Sequence, residues 1–209
     1  TPSSTPTETA TPTPSHTPTV TATATSTLTP SVTPTPTATL SPGACRELIT
    51  NGNAEGYGGW NFVPTSYNAG FSSVQAHSPT RSLRTGIELG GWHAPYATYS
   101  IVEQLVLVPA EADTLTLGCY LYTVSTGGPS DTDWSKVMVR VDETGAYHTL
   151  RVLNYPDTNG RTWTYVEWDE SALTQFKGQQ IWLHFETYNN GWGGTTALYV
   201  DDVSFVACR

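Results

Sequence analysis

Basic residues are scarce in this chain of 209 residues, which carries nine Lys and Arg against eighteen Asp and Glu. The basic side chains form no cluster in the sequence, and both nucleic acid and anionic membranes need a basic surface to bind. No apolar run approaches the roughly 20 residues that a membrane-spanning helix requires. The sequence therefore predicts neither nucleic acid as a partner nor a membrane span in this chain.

Common catalytic motifs are also missing. There is no Gly-x-Ser-x-Gly elbow, no His-Glu-x-x-His zinc motif and no phosphate-binding glycine loop. Four histidines lie on separate segments without an evident nucleophile, namely His77, His93, His148 and His184. Several carboxylates could pair in space as they do in a glycosidase, but their spacing does not require it; they include Asp131, Asp133, Glu167, Asp169 and Glu186. We therefore expect a non-catalytic protein that requires no cofactor.

Aromatic residues are absent from residues 1–42, which consist almost entirely of Thr, Pro, Ser, Ala and Val. Such a segment cannot bury enough apolar surface to offset the entropy of ordering it, and its Thr-Pro alternation favours polyproline II. Because Ser/Thr/Pro tracts are usual O-glycosylation substrates, we predict an extended, O-glycosylated stalk or linker. A bare, flexible linker is the alternative, and the absence of an Asn-x-Ser/Thr sequon excludes N-glycosylation by that route. The predicted O-glycosylation sites are Thr5, Thr7, Thr9, Thr11, Thr13, Thr17, Thr19, Thr21, Thr23, Thr25, Thr27, Thr29, Thr33, Thr35, Thr37 and Thr39.

The remaining residues, 43–209, contain all seven Trp and all three Cys and are long enough for one domain with one core. Apolar residues alternate with polar ones in Leu115–Leu121, Val137–Val141 and Ile181–Phe185, the period of a half-buried strand. Nine to eleven such short strands, separated by glycine-containing turns, predict an antiparallel β-sandwich. A helical turn is expected only in residues 170–176.

The cysteines are few but well placed. Cys45 opens the predicted domain and Cys208 closes it, so a disulfide between them would form if the first and last strands are neighbours. A link to another molecule is the alternative for this pair. Cys119 falls on the apolar face of its strand, where we expect a buried free thiol.

Three segments of the domain resemble jelly-roll carbohydrate-binding modules. The run Leu48-Ile49-Thr50-Asn51-Gly52-Asn53-Ala54-Glu55, followed by Trp60, is similar to their N-terminal strand, whose usual form is Leu-Ile-x-Asn-Gly-x-Phe-Glu. Here Ala54 stands where the family usually has Phe. The stretch Leu198–Ser204 resembles their last strand, and Ala76–Leu83 fits a strand between them.

This resemblance covers about residues 45–206 and implies an all-β, galactose-binding-like domain: an antiparallel jelly-roll β-sandwich preceded by an extended Thr/Pro-rich segment. It indicates the fold better than any ligand. In that family a structural calcium often lies between the first and last strands. The resemblance implies Glu55 and either Asp201 or Asp202 as its carboxylate ligands. Backbone carbonyls near Asn51 to Asn53 would complete the site, since calcium prefers six to eight oxygens. The alternative is that Asp201 and Asp202 end a strand and hydrogen-bond a turn.

Aromatic side chains are the best candidates for ligand contacts. Trp92 and Trp192 lie among glycines in predicted loops, while Tyr120 and Tyr122 project from one strand and Trp182 from another. Flat rings with a polar edge suit the apolar faces of sugars and also suit protein contacts. Alternatively, these rings cap the core or pack under loops.

Two functions fit these features, and both place the protein outside the cell or on its surface. The favoured one is a repeating stalk-plus-bead unit of a glycosylated filament, whose partners are further copies of itself. A chain that begins within a Thr/Pro tract and ends at Cys208-Arg209 suggests such a repeat. The alternative is a carbohydrate-binding or adhesive module, tethered by a glycosylated linker and bound to surface polysaccharide.

Overall fold

Alternating apolar and polar residues produce eleven β-strands in residues 39–91 and 95–209, the parts of the chain that the computed structural model describes. The strands are β1 (Cys45–Glu47), β2 (Asn61–Val63), β3 (Gly70–Ser72), β4 (Ser82–Gly86), β5 (Thr98–Leu107), β6 (Thr114–Ser125), β7 (Trp134–Val141), β8 (Tyr147–Leu153), β9 (Thr164–Trp168), β10 (Gln180–Asn189) and β11 (Thr196–Cys208). The predicted sites Thr5 to Thr37 and Trp92 lie outside the described residues, whereas Thr39 is described and exposed.

The predicted helical turn is present, and a 3₁₀ turn that was not predicted lies at Asp157–Asn159. Helix α1 (Glu170–Leu173) continues into a 3₁₀ turn, Thr174–Phe176. The Asp169 side chain begins this helix by accepting a hydrogen bond from Ser171 N (3.0 Å). In residues 39–91 and 95–209, no helix has the length and apolar character needed to cross a membrane.

The strands form two sheets in which every pair is antiparallel. The six-stranded sheet has the order β3-β4-β11-β6-β9, with β1 also paired to β11. The five-stranded sheet has the order β2-β5-β10-β7-β8. The inner faces of the two sheets enclose the core, which confirms the predicted antiparallel jelly-roll sandwich.

The core follows the alternation read from the sequence. Leu117 and Leu121 of β6 and Leu183 and Phe185 of β10 are buried between the sheets. Full burial of each such side chain stabilises the fold by about 1.5–3 kcal/mol. Cys119 shares this inner face as a buried free thiol, as predicted.

A disulfide joins the first and last strands. Cys45 and Cys208 are register partners in β1 and β11, with their Cα atoms 4.0 Å apart and a sequence separation of 163. The predicted intramolecular pairing is therefore confirmed. Next to it, Arg209 Nη1 donates to the carbonyl of Leu40 (2.9 Å), whose side chain is buried in the core. The packed structure thus begins before residue 43, where the sequence placed the domain boundary.

Candidate functional site

An aromatic row crosses three strands on the outer face of the five-stranded sheet. Tyr188 in β10 is the register partner of Tyr99 in β5 on one side and of Trp134 in β7 on the other. The Tyr99 and Tyr188 ring centroids are 4.9 Å apart, and the Trp134 and Tyr188 rings are stacked at 5.4 Å with 21° between their planes. Lys136 Nζ lies 3.8 Å from the Trp134 ring centroid. Tyr99 is 45% exposed, so the row offers a ring surface to solvent.

A network of charged side chains lies beside this row on the same face. The His184 ring bridges two carboxylates, with Nδ1 3.0 Å from Glu103 and Nε2 3.2 Å from Glu186. Arg140 Nη2 lies 3.3 Å from Glu103, and Asn61 Nδ2 donates to the same carboxylate at 3.2 Å. Each polar group is therefore held in a fixed orientation by a neighbour.

Burial and the neighbouring charged groups shift the pKa values of His184 and Glu103 in opposite directions. Burial lowers the pKa of His184, but its hydrogen bonds with Glu103 and Glu186 outweigh burial and raise that pKa above its ordinary value. Burial raises the pKa of Glu103, but the hydrogen bond with His184 and the charge of Arg140 lower it overall. The network therefore favours an imidazolium that donates to Glu103 and Glu186.

The face continues into an open groove with a volume of about 420 Å³. Its lining includes Asn61 and Glu103 from the network and Trp182 from β10. Trp182 Nε1 donates to Asp142 Oδ1 (2.6 Å), and the Arg140 guanidinium lies 5.1 Å from the Trp182 ring centroid. Of the aromatic residues predicted from the sequence, Trp182 is the one that the described structure places on this face.

The other predicted aromatic residues lie elsewhere. Tyr120 and Tyr122 are on β6 of the opposite sheet, where Tyr120 stacks on His77 (3.7 Å, 16°) and Tyr122 packs against Trp163 (5.5 Å). Trp192 is 75% exposed in the loop that joins β10 to β11. The structure therefore does not bring the four described aromatic residues of the prediction, Tyr120, Tyr122, Trp182 and Trp192, together in one site.

The implied calcium ligand Glu55 accepts hydrogen bonds through both of its carboxylate oxygens. Its Oε1 accepts from Thr80 N and Arg81 N, both at 2.8 Å, and its Oε2 accepts from Thr80 Oγ1. These hydrogen bonds lower the pKa of Glu55, mainly through the side chain of Thr80. N–H and O–H donors therefore surround the carboxylate where a cation would need to coordinate.

The other two implied ligands hold a turn. Asp201 accepts from His77 N (2.8 Å) and Ser78 N (2.9 Å), and Asp202 Oδ2 lies 2.6 Å from His77 Nδ1. Residues 39–91 and 95–209 contain no group of three or more His, Cys, Asp or Glu arranged for a metal ion. The three carboxylates therefore do not fit a shared calcium site in this arrangement, and calcium binding by them stays a prediction.

No protein-family model and no curated protein matches the sequence. The solved structure of TmCBM61 in complex with β-1,4-galactotriose matches the fold with a TM-score of 0.50 and 13% identity, covering 77% of this chain and 97% of that one. The chain has the β-sandwich fold of carbohydrate-binding modules. This confirms the predicted resemblance at the level of the fold.

Two further solved structures align over similar lengths. A family 16 carbohydrate-binding module has a TM-score of 0.44 and 20% identity, covering 76% of this chain and 98% of its own. The xylan-binding domain CBM22-1 from Paenibacillus barcinonensis Xyn10C has a TM-score of 0.44 and 11% identity, covering 82% and 99%. At these TM-scores and identities, neither likeness identifies a ligand for this chain.

Proposed function

We propose that this protein is an extracellular, non-catalytic carbohydrate-binding module, and that its ligand lies on the outer face of the five-stranded sheet. The observation that carries the proposal is the aromatic row of Tyr99, Tyr188 and Trp134 beside the network around His184. Sugar rings have apolar C–H faces and hydroxyl edges, so they need both a flat ring and nearby hydrogen-bonding groups.

The charged network would supply those hydrogen bonds at the hydroxyl edge of the ligand. Carboxylates accept hydrogen bonds from sugar hydroxyls. The Arg140 guanidinium and the Asn61 amide can donate hydrogen bonds to the hydroxyl oxygens. Because His184 and Arg140 already hold Glu103 in place, binding would order few side chains. A polar site fixed in advance loses less conformational entropy on binding, which favours affinity.

The fold and the disulfide support the same class of function. The solved structure with a TM-score of 0.50 is a module in complex with β-1,4-galactotriose, and this analogy supports a glycan as ligand without naming the sugar. Disulfides form and persist outside the reducing cytosol, so the Cys45–Cys208 bond supports an extracellular location. The filament of repeating stalk-plus-bead units stays a prediction, because neither the fold nor the compared structures bear on self-association.

The test compares retention of the protein on a panel of insoluble and immobilised polysaccharides, including β-1,4-galactan and xylan. Replacing Trp134 with alanine should weaken binding about 30-fold, near 2 kcal/mol, as for a central aromatic contact. The thermal unfolding of this variant should stay close to that of the parent protein, because Trp134 lies outside the core.

The matched control is Trp192→Ala, which removes an exposed Trp from a loop instead of the sheet face. It should bind as the parent protein does. If Trp192→Ala abolishes retention and Trp134→Ala does not, the ligand lies at the loop and the proposed face is wrong. If no polysaccharide is retained, the proposed function itself fails.

A further inference from the structure

Two aspartates at one end of the sandwich have buried carboxylate oxygens without hydrogen-bond partners. Asp131 and Asp133 lie in the loop between β6 and β7, and Asp133 is 3% exposed. The Oδ2 atom of each is buried and makes no hydrogen bond. The Oδ1 atoms are occupied: Asp131 Oδ1 accepts from Asp133 N (3.1 Å) and Asn190 Nδ2 (2.9 Å), and Asp133 Oδ1 accepts from Asn190 N (2.7 Å).

Asn190 fixes the orientation of this pair. Through its backbone and side-chain N–H groups it donates to one oxygen of each aspartate, and its own Oδ1 accepts from Trp192 N (2.6 Å). The loop between β10 and β11, which contains Asn190, is thereby tied to the loop between β6 and β7. The other oxygen of each carboxylate, Oδ2, accepts no hydrogen bond from these loops.

An ionised oxygen without a partner is unfavourable in a buried position, so a proton, a water or a cation normally accompanies it. Asn190 holds both carboxyl groups through their Oδ1 atoms, so the two Oδ2 atoms belong to neighbouring side chains of one loop. A single cation can accept both oxygens as ligands, whereas one proton satisfies only one of them.

Two glycines, Gly127 and Gly193, lie close to the Asp131 carboxylate and leave space for it. A Cβ on Gly127 would lie 1.8 Å from Asp131 Oδ2, and a Cβ on Gly193 would lie 3.8 Å from the same oxygen. A side chain at Gly127 would therefore displace the carboxylate. Gly127 of the β6–β7 loop and Gly193 of the β10–β11 loop therefore both lie beside the Asp131 carboxylate.

We propose that Asp131 and Asp133 bind a calcium ion that holds the β6–β7 loop against the β10–β11 loop. Calcium accepts six to eight oxygens in irregular geometry, so two carboxylates can be completed by backbone carbonyls and water, whereas magnesium demands a near-ideal octahedron. With only two carboxylates the site is weak, with a Kd of about 10⁻⁴–10⁻³ M, as in extracellular modules. The site is separate from Glu55 and Asp201, whose oxygens accept hydrogen bonds, and from Asp202, whose Oδ2 contacts His77.

The experiment is thermal unfolding of the full chain at neutral pH, after dialysis against a chelator, in a titration with calcium chloride alone. The melting temperature should rise with calcium and respond much less to magnesium. Asp133→Asn and Asp131→Asn should each raise the calcium concentration that gives half of the increase in melting temperature by at least tenfold. Glu143→Gln, which removes the same charge from an exposed turn, is the matched control and should respond as the parent does.

A second measurement covers the case in which an aspartate variant folds poorly. Terbium binds calcium sites, and Trp134, adjacent to Asp133, should sensitise its luminescence in the parent protein, with calcium displacing it. The proposal is overturned if calcium about tenfold above the expected Kd range changes neither the melting temperature nor the terbium signal. It is also overturned if Glu55→Gln removes the response while Asp133→Asn keeps it. Neither result depends on glycan binding, so the proposed function is tested separately.

Discussion

Replacing His184 with glutamine would remove the cation from the buried network on the outer face of the five-stranded sheet. The His184, Glu103 and Glu186 side chains are 2%, 7% and 12% exposed, so water screens their charges poorly. In the variant the two glutamates would share a neutral amide. Arg140, 3.3 Å from Glu103, would be the remaining cation in this network.

The expected loss of stability follows from this burial. Removing one partner of a buried ion pair costs about 3–5 kcal/mol, because the other partner is left as an uncompensated charge. Since Arg140 still compensates Glu103 in part, we expect the lower end, about 3 kcal/mol. For a chain of this size that corresponds to a fall in melting temperature of roughly 6–12 °C.

The pKa shifts of His184 and Glu103 determine how the stability contributed by the network changes with pH. The folded pKa of His184 is raised above the ordinary value of 6.5, so its contribution is complete below 6.5 and is lost as the pH rises through the raised value. The folded pKa of Glu103 is lowered below the ordinary 4.5, so its contribution is complete above 4.5 and is lost as the pH falls through the lowered value. The network therefore stabilises the fold most between pH 4.5 and 6.5.

The assay is thermal unfolding followed by circular dichroism from pH 5 to pH 9, with His148→Gln as a control on a histidine that packs against Phe176. The difference between the parent protein and His184→Gln should be largest at pH 5–6 and should shrink towards pH 9. A difference below about 1 kcal/mol at pH 6, or one of the same size at every pH, would refute the buried charge network.

Two further predictions concern stability. Replacing Cys45 and Cys208 together by serine should cost about 5 kcal/mol, because the bond closes a loop with a sequence separation of 163; denaturant unfolding that hardly changes would contradict this. Gly86 has φ +78°, and a Cβ there would lie 2.2 Å from the Thr196 carbonyl, so Gly86→Ala should cost roughly 3 kcal/mol. Gly43→Ala, at φ +76° in open space, should cost only about 1 kcal/mol, and equal losses would show that the close contact is unimportant.

The sequence predicted the parts of the fold that local pattern determines. The alternation in Ile181–Phe185 gave the correct inner face of β10, because the side-chain period of a strand is two. The positions of Cys45 and Cys208 suggested the bond that closes the domain. Leu40 was assigned to the Thr/Pro-rich segment because its neighbours in the sequence are polar, but its side chain packs in the core.

Most of the aromatic row was missed because it is assembled by strand register. Tyr99, Trp134 and Tyr188 are far apart in the sequence, and only the pairing of β10 with both β5 and β7 brings them together. A local signal was present, since Trp182, His184, Glu186 and Tyr188 occupy alternate positions of one strand. That pattern marks the outer face of β10, but the strands on either side of β10 cannot be read from it.

The bond between Cys45 and Cys208 also decides where mechanical load would run. Tension applied at Ala44 and Arg209, the residues that flank these cysteines, would pass across a Cα–Cα distance of 4.0 Å and bypass the sandwich. In the oxidised protein the domain is therefore an inextensible link that keeps its folded surface under load. Reduction would place the sandwich in the line of force, and unravelling the intervening residues would release roughly 550 Å of chain.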